Sequence, residues 1–451
     1  MNFGEFFNKI WQYIVNWFSS TYLAFEPEHI AQTIVNYIIV IYSILILYRV
    51  VYILVGVFGK APKYKHVEKK KSFAVIIAAR NEEKVIGNLI DSIKANKYPQ
   101  DKITIFVSAN NCTDNTALIA RNHGAIVYEM NEKSRDTKGL GLQYLFTQIE
   151  KDYGIMSFEA YAFFDADNLV DPLFLDKMND ALEADWDVVK GYRDIKNFGT
   201  NLISSSYGFH FYRNVIISHR PRAVFHNSTL LDGTGFVCHN YIMKDGWNYV
   251  KLTEDAEFTF LLISNNKKIG YCEEAVFYDE QPHSIKVSLK QRARWAKGAL
   301  DNFFENSHRL VKNLFKTGKF SNYDMYLEAF PYDILVLVLS IVILIIDIVF
   351  QVNTTGTYQI LSYLHTLGTT LLTTYLAILA LGILVLIRER KRIHYKWYKM
   401  VFYLLHWPIF DLISLPIRIY AIFNRKIKWD AIPHDDTSTL EEVNKTKDSG
   451  K

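Results

Sequence analysis

This 451-residue sequence has few cysteines and a small net charge. The three cysteines, Cys112, Cys238 and Cys272, show no metal-ligand spacing, which excludes a cysteine-based zinc module and indicates buried, reduced thiols in a cytosolic domain. A formal net charge of +4 is too small to favour nucleic acid as a partner. The first residues lack the basic segment and small-residue cleavage site of a secretory signal peptide, so we expect no cleaved signal.

Charged residues are also missing from long apolar runs. Residues 30–58 contain a single charge, at Arg49, and are long enough to cross a bilayer. Residues 334–346 carry no charge and are flanked by acids, so they span only if those acids lie near the interfaces or face protein. Residues 353–387 are uncharged and can hold a third span.

A fourth apolar segment, residues 400–423, is less regular. Four of its residues oppose a straight helix in lipid: Pro408, Asp411, Pro416 and Arg418. Basic residues at 388–399 and 425–428 flank the segment on both sides, which is typical of cytoplasmic ends. We predict a re-entrant or interfacial hairpin that leaves residues 429–434 in the cytoplasm, close enough to contact the polar domain between the spans.

The distribution of charge divides the chain into four regions. Basic clusters at 60–71 and 388–399 place the polar middle of the chain in the cytoplasm of a multi-pass plasma-membrane protein. Residues 3–25 are aromatic-rich with scattered polar residues, which is typical of a helix lying in the membrane interface. The expected regions are an interfacial helix and span in 1–71, a cytosolic domain in 72–306, an interfacial helix and spans in 307–423, and a polar cytosolic tail in 424–451.

In the cytosolic domain, apolar strands alternate with helical patterns, which predicts an α/β fold with a mostly parallel sheet covered by helices. One apolar run, residues 161–164, reads as a buried strand and is followed at once by Asp165 and Asp167. Residues i and i+2 of an extended chain point to the same side, so these carboxylates can face one volume at the carboxyl end of the sheet. They suit a divalent cation held by oxygens. Alternatively, one of them caps the helix expected near Pro172.

Two earlier strands also end in polar residues; they are predicted over 73–78 and 103–108. Arg80 and Glu82 follow the first strand, at the place where a nucleotide would be gripped, although Asn81 could simply cap a helix there. Asn110 follows the second strand, in a turn that could equally be a plain loop.

A lysine and a flexible turn provide two further candidate contacts. Lys138 opens a helix after a charged loop, and a cation at a helix N-terminus suggests an anionic ligand, since that helix end itself favours negative charge. The turn over residues 232–235 contains Gly233, Thr234 and Gly235, and its backbone could approach a ligand closely.

Two helical segments complete the set. Thr253-Glu254-Asp255 opens an apolar-periodic helix, in which Thr253 could merely act as a cap and Asp255 could lie favourably near the helix dipole. Gln291-Arg292-Ala293-Arg294-Trp295 lies in a basic amphipathic segment, residues 285–315, which could also be a helix on an anionic membrane surface.

Taken in order, Asp165-Ala166-Asp167, Thr253-Glu254-Asp255 and Gln291-Arg292-Ala293-Arg294-Trp295, followed by predicted spans, resemble the membrane-bound family-2 glycosyltransferases with the nucleotide-sugar-binding GT-A fold. The resemblance is to processive synthases of cellulose, hyaluronan, chitin and poly-N-acetylglucosamine in particular. It covers residues 72–295 together with the membrane layout, and it implies a GT-A domain inserted between N- and C-terminal transmembrane helices. Each motif is weak alone, whereas their order is specific.

The resemblance implies a role for each motif residue. Asp165 and Asp167 would hold the ribose and a divalent ion, Mg²⁺ or Mn²⁺, and Asp255 would be the catalytic base. The residues implied for the nucleotide-sugar are Arg80, Glu82, Asn110, Lys138, Asp165, Gln291 and Arg294. The residues implied for the acceptor are Trp295, Glu254, Gly233, Thr234 and Gly235. A metal and an arginine would stabilise the negative charge that develops on a leaving diphosphate, and a carboxylate would take the proton of the acceptor hydroxyl.

The implied activity is processive, inverting transfer of a hexosyl group from a UDP-sugar, which extends a β-linked polysaccharide and passes it through the membrane helices. The expected partners are the UDP-sugar, a growing polysaccharide or lipid-linked acceptor, and membrane lipid. A rival interpretation is non-processive transfer of one sugar to a lipid acceptor. A transporter or receptor with a cytosolic α/β domain would leave the three acidic motifs unexplained.

One residue departs from the pattern of the family. Asn110 stands where many relatives place an aspartate that accepts the uracil N3–H. An amide oxygen can also accept that bond, so uridine remains the expected base, and Asp114 is another acid that could compensate.

Overall fold

The computed structural model describes residues 12, 30–132, 134, 136–354, 360–393 and 395–449. Apart from residue 12, the interfacial helix expected over 3–25 lies outside this part of the chain and stays a prediction. The described residues fall into two compact units, one within Met1–Val51 and Pro331–Leu372 and the other within Tyr52–Phe330 and Thr373–Lys451.

The strands, in chain order, are β1 (Phe73–Ala79), β2 (Ile103–Asn110), β3 (Ile126–Met130), β4 (Ala160–Asp165), β5 (Leu169–Val170), β6 (Val188–Ile195), β7 (Phe236–His239) and β8 (Ile269–Asp279). The α-helices are α1 (Ile30–Ile46), α2 (Tyr48–Phe58), α3 (Ile86–Lys94), α4 (Thr116–Asn122), α5 (Lys138–Asp152), α6 (Phe174–Leu182), α7 (Leu202–Asn214), α8 (Arg220–Val224), α9 (Glu254–Ser264), α10 (Ile285–Thr317), α11 (Phe320–Ala329), α12 (Tyr332–Thr354), α13 (Ile360–Glu389), α14 (Trp397–Leu412), α15 (Ser414–Phe423) and α16 (Leu440–Ser449).

The strands form one eight-stranded sheet in the order β3-β2-β1-β4-β7-β6-β8-β5. The half from β3 to β4 is parallel throughout, as predicted. The other half is mixed, because β7 runs antiparallel to both β4 and β6, and β5 runs antiparallel to β8. The prediction of a mostly parallel sheet is therefore right for one half only. β7 has four residues, too few for the sequence pattern to reveal its direction.

Strand β4 contributes its two faces to two separate apolar cores. Ala162 and Phe164 pack into the core on the side of α3 and α6, whereas Tyr161 and Phe163 pack into the core on the side of α5 and α9. Because side chains alternate along a strand, Asp165 continues the second face, toward the starts of α5 and α9. This alternation explains why the last residue of β4 meets residues that come from two distant helices.

Helix α6 begins without help from either aspartate of the Asp-x-Asp motif. The N-cap position of α6 is Leu173, whose backbone N–H donates to the Asp171 carboxylate at 2.9 Å. The alternative that Asp165 or Asp167 caps this helix is therefore wrong, and both carboxylates are left for other partners.

Apolar helices precede and follow the strands of the sheet in the chain. Two helices, Leu367–Glu389 and Trp397–Phe423, are long and apolar enough to cross a membrane, and the number rises to four if two neighbouring pairs each form one span. Those pairs are Asn36–Ile46 with Tyr48–Phe58, and Phe320–Ala329 with Tyr332–Ile343. Within the smaller unit, Tyr42 of α1 stacks on Tyr332 of α12 with ring centroids 3.7 Å apart.

The hairpin predicted over 400–423 does not form. Helices α14 and α15 together make one candidate span of 27 residues, and Pro408 lies inside α14. Asp411 can lie within this helix because its charge is paired with a protein cation. Arg213 of α7 donates to both of its carboxylate oxygens, at 3.0 and 3.2 Å. The partner comes from a helix almost 200 residues away, which the sequence pattern could not show.

The thiols largely match the expectation. Cys238 and Cys272 are buried and free, whereas Cys112 is half-buried and free. Burial raises the pKa of the Cys238 and Cys272 thiols above the ordinary value, which keeps them protonated and unreactive.

Candidate active site

Lys138 gathers several of the predicted residues at the carboxyl end of β4. Its ammonium lies 2.5 Å from the Asp165 carboxylate and 3.3 Å from that of Glu254, and it donates to the Gly233 carbonyl at 2.9 Å. Although burial lowers the pKa of Lys138, the Asp165 and Glu254 carboxylates raise it above its usual value, so the amine stays charged. Lys138 is the first residue of α5, as predicted, and it occupies the helix end that would otherwise attract an anion.

Asp255 lies in the first turn of α9, beside this cluster. It lines a cavity together with Lys138, Gly233 and Glu254, and apolar walls complete the cavity, including Phe163. Burial raises the pKa of Asp255 to about 7; Glu254 adds to the rise, and Lys138 opposes it. A carboxylate with a pKa near neutrality is suited to accept a proton during catalysis, because it is both available and basic at the working pH.

The turn over residues 232–235 passes between the carboxylates of Asp165 and Asp255. Gly233 has φ +95°, and a Cβ built on it would lie 3.9 Å from an oxygen of each. At Gly235, with φ +67°, a Cβ would overlap the Phe277 ring. Thr234 accepts the Asp165 backbone N–H at 2.9 Å. The two glycines allow the backbone of this turn to pass between the two acids, and Thr234 fixes the turn to the end of β4.

Asp167 is the most deeply buried acid of the motif and has the weakest compensation. Burial raises its pKa to about 8; the carboxylates of Asp279 and Asp165 add to the rise, and His434 opposes it. Its nearest cationic group is the His434 imidazole, 3.7 Å away. An excess of carboxylate oxygens that lack a matching cation is the donor set that Mg²⁺ and Mn²⁺ prefer, so the residues present fit a divalent ion.

The tail after the last apolar helix folds back onto the sheet, which confirms the predicted contact of residues 429–434 with this domain. Trp429 lies against the Arg80 guanidinium, 5.2 Å from its ring centroid. The Nδ1 atom of His434 lies 2.9 Å from the Glu82 carboxylate. Arg80 also donates to the Asp136 carbonyl at 2.9 Å. The flanking basic residues indicated where the tail lies, but nothing in its sequence marked His434 as part of the site.

Asn110 ends β2 and faces the start of α5. Its Nδ2 donates to the Thr137 carbonyl at 3.0 Å, and its Oδ1 accepts from the Asn111 side chain at 2.9 Å. Asp114 accepts from the Glu83 backbone and from Thr116, so it braces the loop rather than facing the nucleotide position. The structure thus brings Asn110 next to α5 without a direct contact to the acids.

Asn81 does not act as the helix cap that was considered for it. It has φ +58°, and its Oδ1 accepts the Thr113 backbone N–H at 2.8 Å, while the following helix begins only at Ile86. The Thr253 side chain makes no cap hydrogen bond either, and its hydroxyl oxygen is buried without a partner in the described part of the chain.

The Gln291–Trp295 motif lies on α10, beside the start of α9. Gly298, one turn after Trp295, packs against Thr253. The Gln291 Oε1 atom is buried without a hydrogen-bond partner among the described residues. Arg294 makes no hydrogen bond or ion pair with that same part of the chain. Neither contacts the carboxylates directly, so both side chains are left able to receive a ligand.

The other two members of this motif contact protein. Trp295 packs edge-on against Tyr207 and Phe211, with centroid distances of 5.8 and 6.3 Å. Arg292 is buried; it donates to the Phe410 carbonyl at 2.7 Å and lies over the ring of that residue. Arg292 therefore anchors α10 to α14, a role that the spacing did not predict.

Arg193 is a residue of the site that sequence reasoning missed. It comes from β6 and pairs with Asp279 at 3.2 Å and with Asp232 at 3.4 Å. Asn168 donates to the same Asp279 carboxylate at 2.7 Å. These bonds tie the residue after the Asp-x-Asp motif to β8, and no local pattern predicts them, because the partners are about 110 residues apart.

A second group of side chains, His66, Asp176 and Asp180, has potential ligand atoms close enough to one another to hold a metal ion. Its charge is already compensated, since Lys70 pairs with Asp176 at 2.6 Å and the Val67 backbone N–H donates to Asp180 at 2.9 Å. It does not share residues with the Asp165 and Asp167 cluster.

Comparisons with known proteins bear on the family and the fold of the chain. The family model described as "Glycosyltransferase like family 2" matches residues 70–298, and that described as "Chitin synthase" matches residues 239–449. The chain is 26% identical over 254 residues to "Probable glycosyltransferase YdaM" of Bacillus subtilis (strain 168), a match that covers 52% of this chain and 57% of the relative. Over 60 residues it is 45% identical to "4,4'-diaponeurosporenoate glycosyltransferase" of Staphylococcus aureus (strain bovine RF122 / ET3-1), which covers 13% and 15%.

One solved structure supports the fold. The chain is similar to the mannosyltransferase PcManGT from Pyrobaculum calidifontis, solved in complex with GDP-Man and Mn²⁺. The TM-score is 0.51 at 14% identity, and the match covers 77% of this chain and 96% of the other. The expected GT-A-like fold is confirmed as a mixed α/β sheet. The family model spans just over half of the 451 residues, so the chain belongs to glycosyltransferase family 2.

Proposed function

We propose that this glycosyltransferase moves a hexosyl group from a UDP-sugar, with inversion, onto a growing β-linked polysaccharide that then passes through its membrane helices. One observation carries the proposal: a half-buried carboxylate with a pKa near 7, Asp255, shares a cavity with Lys138 and lies one glycine away from the Asp165 carboxylate. This arrangement offers a base and a cation in one cavity.

Asp255 would take the proton of the acceptor hydroxyl. As the acceptor oxygen forms a bond to the anomeric carbon, the bond from that carbon to the diphosphate oxygen breaks, and the proton passes to the carboxylate. A single displacement of this kind inverts the anomeric centre and needs no enzymic nucleophile. Lys138 keeps Asp255 partly ionised near neutral pH, because its charge opposes the effect of burial.

Asp165 and Asp167 would hold the divalent ion. Although burial lowers the pKa of His434, the carboxylates of Asp167 and Glu82 raise it to about 10, so His434 would be a further ligand only after the ion displaces its proton. The ion would supply positive charge that stabilises the leaving diphosphate. The proposal agrees with the Mn²⁺ and nucleotide-sugar in the PcManGT complex. Its basis in this chain is the surplus of buried carboxylates around Asp167.

The donor would be bound from two sides. Arg294 would contact the diphosphate, since its guanidinium makes no hydrogen bond or ion pair in the described chain. Gln291 would contact it through its amide N–H groups, because its unpaired buried oxygen can only accept a hydrogen bond. Arg80, Glu82 and Asn110 would surround the nucleoside at the ends of β1 and β2. Uracil is the proposed base, because the Asn110 Oδ1 atom, which accepts one bond from Asn111, has a second lone pair that could accept from the uracil N3–H.

The acceptor would enter on the side of Trp295, with Glu254 and the turn over 233–235 beside the reacting hydroxyl. The chitin-synthase match over 239–449 and the candidate spans support polymer synthesis. Transfer of one sugar to a lipid acceptor is the second candidate. The relative named "4,4'-diaponeurosporenoate glycosyltransferase" favours it over a short stretch of sequence.

Product length separates these candidates. Purified protein would be incubated with a panel of radiolabelled UDP-sugars and Mg²⁺ or Mn²⁺, and the products sized by gel filtration. Long polymer is the expected product. A product extended by a single sugar would favour the lipid acceptor, and failure to transfer or hydrolyse any nucleotide-sugar would contradict the proposal. Asp245→Asn, which alters an exposed carboxylate, is the matched control for variants of Asp255.

We also propose that residues 72–306 form the cytosolic catalytic domain of a multi-pass plasma-membrane protein and that the tail over 424–451 is cytosolic. Cysteine introduced at Lys447 would then resist an impermeant thiol reagent in intact cells and react after permeabilisation. Prompt labelling from outside would place the tail on the other side of the membrane.

A further inference from the structure

Residues 424–439, which link α15 to α16, form a C-terminal strap that lies at the carboxyl ends of the central strands. Five of the residues that it contacts follow β1, β6 or β8 in the chain: Arg80, Glu82, Lys84, Lys196 and Glu280. Asn88 of α3 and Lys290 of α10 contact it as well. Beyond the strap, Val443 of α16 packs against Leu169 and Tyr278. The strap is therefore fastened at several points, one of which places His434 near Asp167.

One group of these contacts holds the two residues that follow His434. One oxygen of the Glu280 carboxylate accepts the backbone N–H groups of both Asp435 and Asp436, at 3.0 and 3.2 Å. From the other side, the Lys196 ammonium donates to the Asp436 carbonyl. Two charged side chains thus hold the donor and acceptor groups of one short backbone segment, and such charge-assisted bonds are roughly twice as strong as neutral ones.

Glu280 lies in an environment that is unfavourable for the stability of the fold. It is 6% exposed, and its second carboxylate oxygen is buried without a partner in the described chain. Burial raises the pKa of the nearby Glu82; His434 opposes this rise, and the Glu280 carboxylate adds to it. A buried carboxylate beside other carboxylates, with one oxygen unsatisfied, reduces the free energy of unfolding. A functional role would explain why the protein has this residue despite its cost in stability.

We propose that Glu280 is a positioning residue: by holding Asp435 and Asp436, it sets the imidazole of the adjacent His434 beside Asp167, where the donor's metal is bound. This inference rests on the proposed function, since it assigns Glu280 to the metal side of that site. Glu280 acts through His434 and does not itself contact the metal or the donor.

The test measures binding of Mn²⁺ with UDP by calorimetry in the full-length protein. Glu280→Ala is expected to weaken this binding about 10-fold, the lower end of the effect of losing a residue that orients a metal ligand. His434→Ala should weaken it at least as much. The double variant should bind no more weakly than His434→Ala alone, because the two residues act through one contact. Glu280→Gln keeps an acceptor oxygen and should stay close to the wild type.

A control separates positioning from general stability. Glu159 also accepts a backbone N–H, that of Ser72 at 3.0 Å, but at the opposite end of β4. Glu159→Ala should therefore leave Mn²⁺–UDP affinity unchanged. Hydrogen exchange of the strap in donor-free protein gives a second readout, and Glu280→Ala should speed exchange at residues 435 and 436.

The possible results are decisive in different ways. Unchanged affinity in Glu280→Ala, or an additive loss in the double variant, would overturn the positioning role. Tighter binding would also overturn it, since the strap would then be a plug over the donor site. If the wild type binds Mn²⁺ with GDP but not with UDP, the proposed base is wrong and the same variants are compared with GDP. If the wild type binds neither UDP nor GDP with Mn²⁺, the proposed donor is wrong. Hydrogen exchange is a separate test: an unchanged exchange rate at residues 435 and 436 in Glu280→Ala would show that Glu280 does not hold the strap.

Discussion

Two carboxylates of the site, the half-buried Asp255 and the buried Asp167, are compensated in different ways. Burial raises the pKa of both, to about 7 and about 8. Near Asp255 the chain supplies its own cation, because Lys138 is fixed by Asp165, Glu254 and the turn at 233. Asp167 instead faces other carboxylates and a histidine 3.7 Å away. The base side is thus complete within the chain, whereas the metal side still has negative charge to be balanced by an ion.

The largest effect is expected from breaking the base side. Asp255→Asn keeps the shape of the side chain and removes the proton acceptor, so transfer should fall by about 10²- to 10⁴-fold. The rate of sugar transfer from UDP-sugar is the measurement, with Asp245→Asn as the control. Substantial transfer by the Asn variant would rule Asp255 out as the base.

Breaking the metal side should affect binding and turnover together. Asp167→Ala removes a proposed ligand, so Mn²⁺-dependent UDP binding should weaken by at least about 10-fold, and transfer should fall with it. Titration of UDP binding with Mn²⁺ measures this change. Asp176→Ala, in the compensated group with His66, is the control and should leave the titration unchanged; the reverse pattern would move the metal to that group.

A smaller and more selective effect is expected at the acceptor. Trp295→Ala should reduce elongation more than hydrolysis of the donor, because the indole is proposed to face the acceptor sugar. The ratio of polymer formed to UDP released in the absence of acceptor reports the difference. Equal losses in both activities would assign Trp295 to support of Tyr207 and Phe211 instead.

The pH profile should show the smallest change, a shift in position. Since the raised pKa of Asp255 favours its protonated, inactive form, transfer should fall as the pH drops through about 7. Lys138→Gln removes the charge that opposes this rise, so the acid limb of the profile should move to higher pH. The exposed Lys151→Gln serves as the control. A limb that stays in place would mean that Asp255 does not control it.

The parts that the sequence predicted correctly depend on local pattern. The apolar runs of β1, β2 and β4 ended near the predicted residues, and the starts of α5 at Lys138 and α9 at Glu254 matched the motifs.

The parts that it missed depend on contacts between distant residues. Neither the reversed direction of β7 nor the pairing of Asp411 with Arg213 leaves a local signature, and the second omission led to the wrong hairpin. The imidazole of His434 contacts Glu82, some 350 residues earlier, and the two residues that follow it donate to Glu280. Such contacts are specified by the folded chain as a whole, so short motifs cannot report them.

The separation of a base side from a metal side is tested most directly by one paired measurement on Asp255→Asn and Asp167→Ala. Each variant would be titrated with UDP in the presence of Mn²⁺ by calorimetry and then assayed for sugar transfer in a single turnover. Asp255→Asn should bind Mn²⁺ with UDP as the wild type does and fail to transfer, while Asp167→Ala should lose both. Loss of Mn²⁺–UDP binding in Asp255→Asn, or normal binding in Asp167→Ala, would contradict the division of roles.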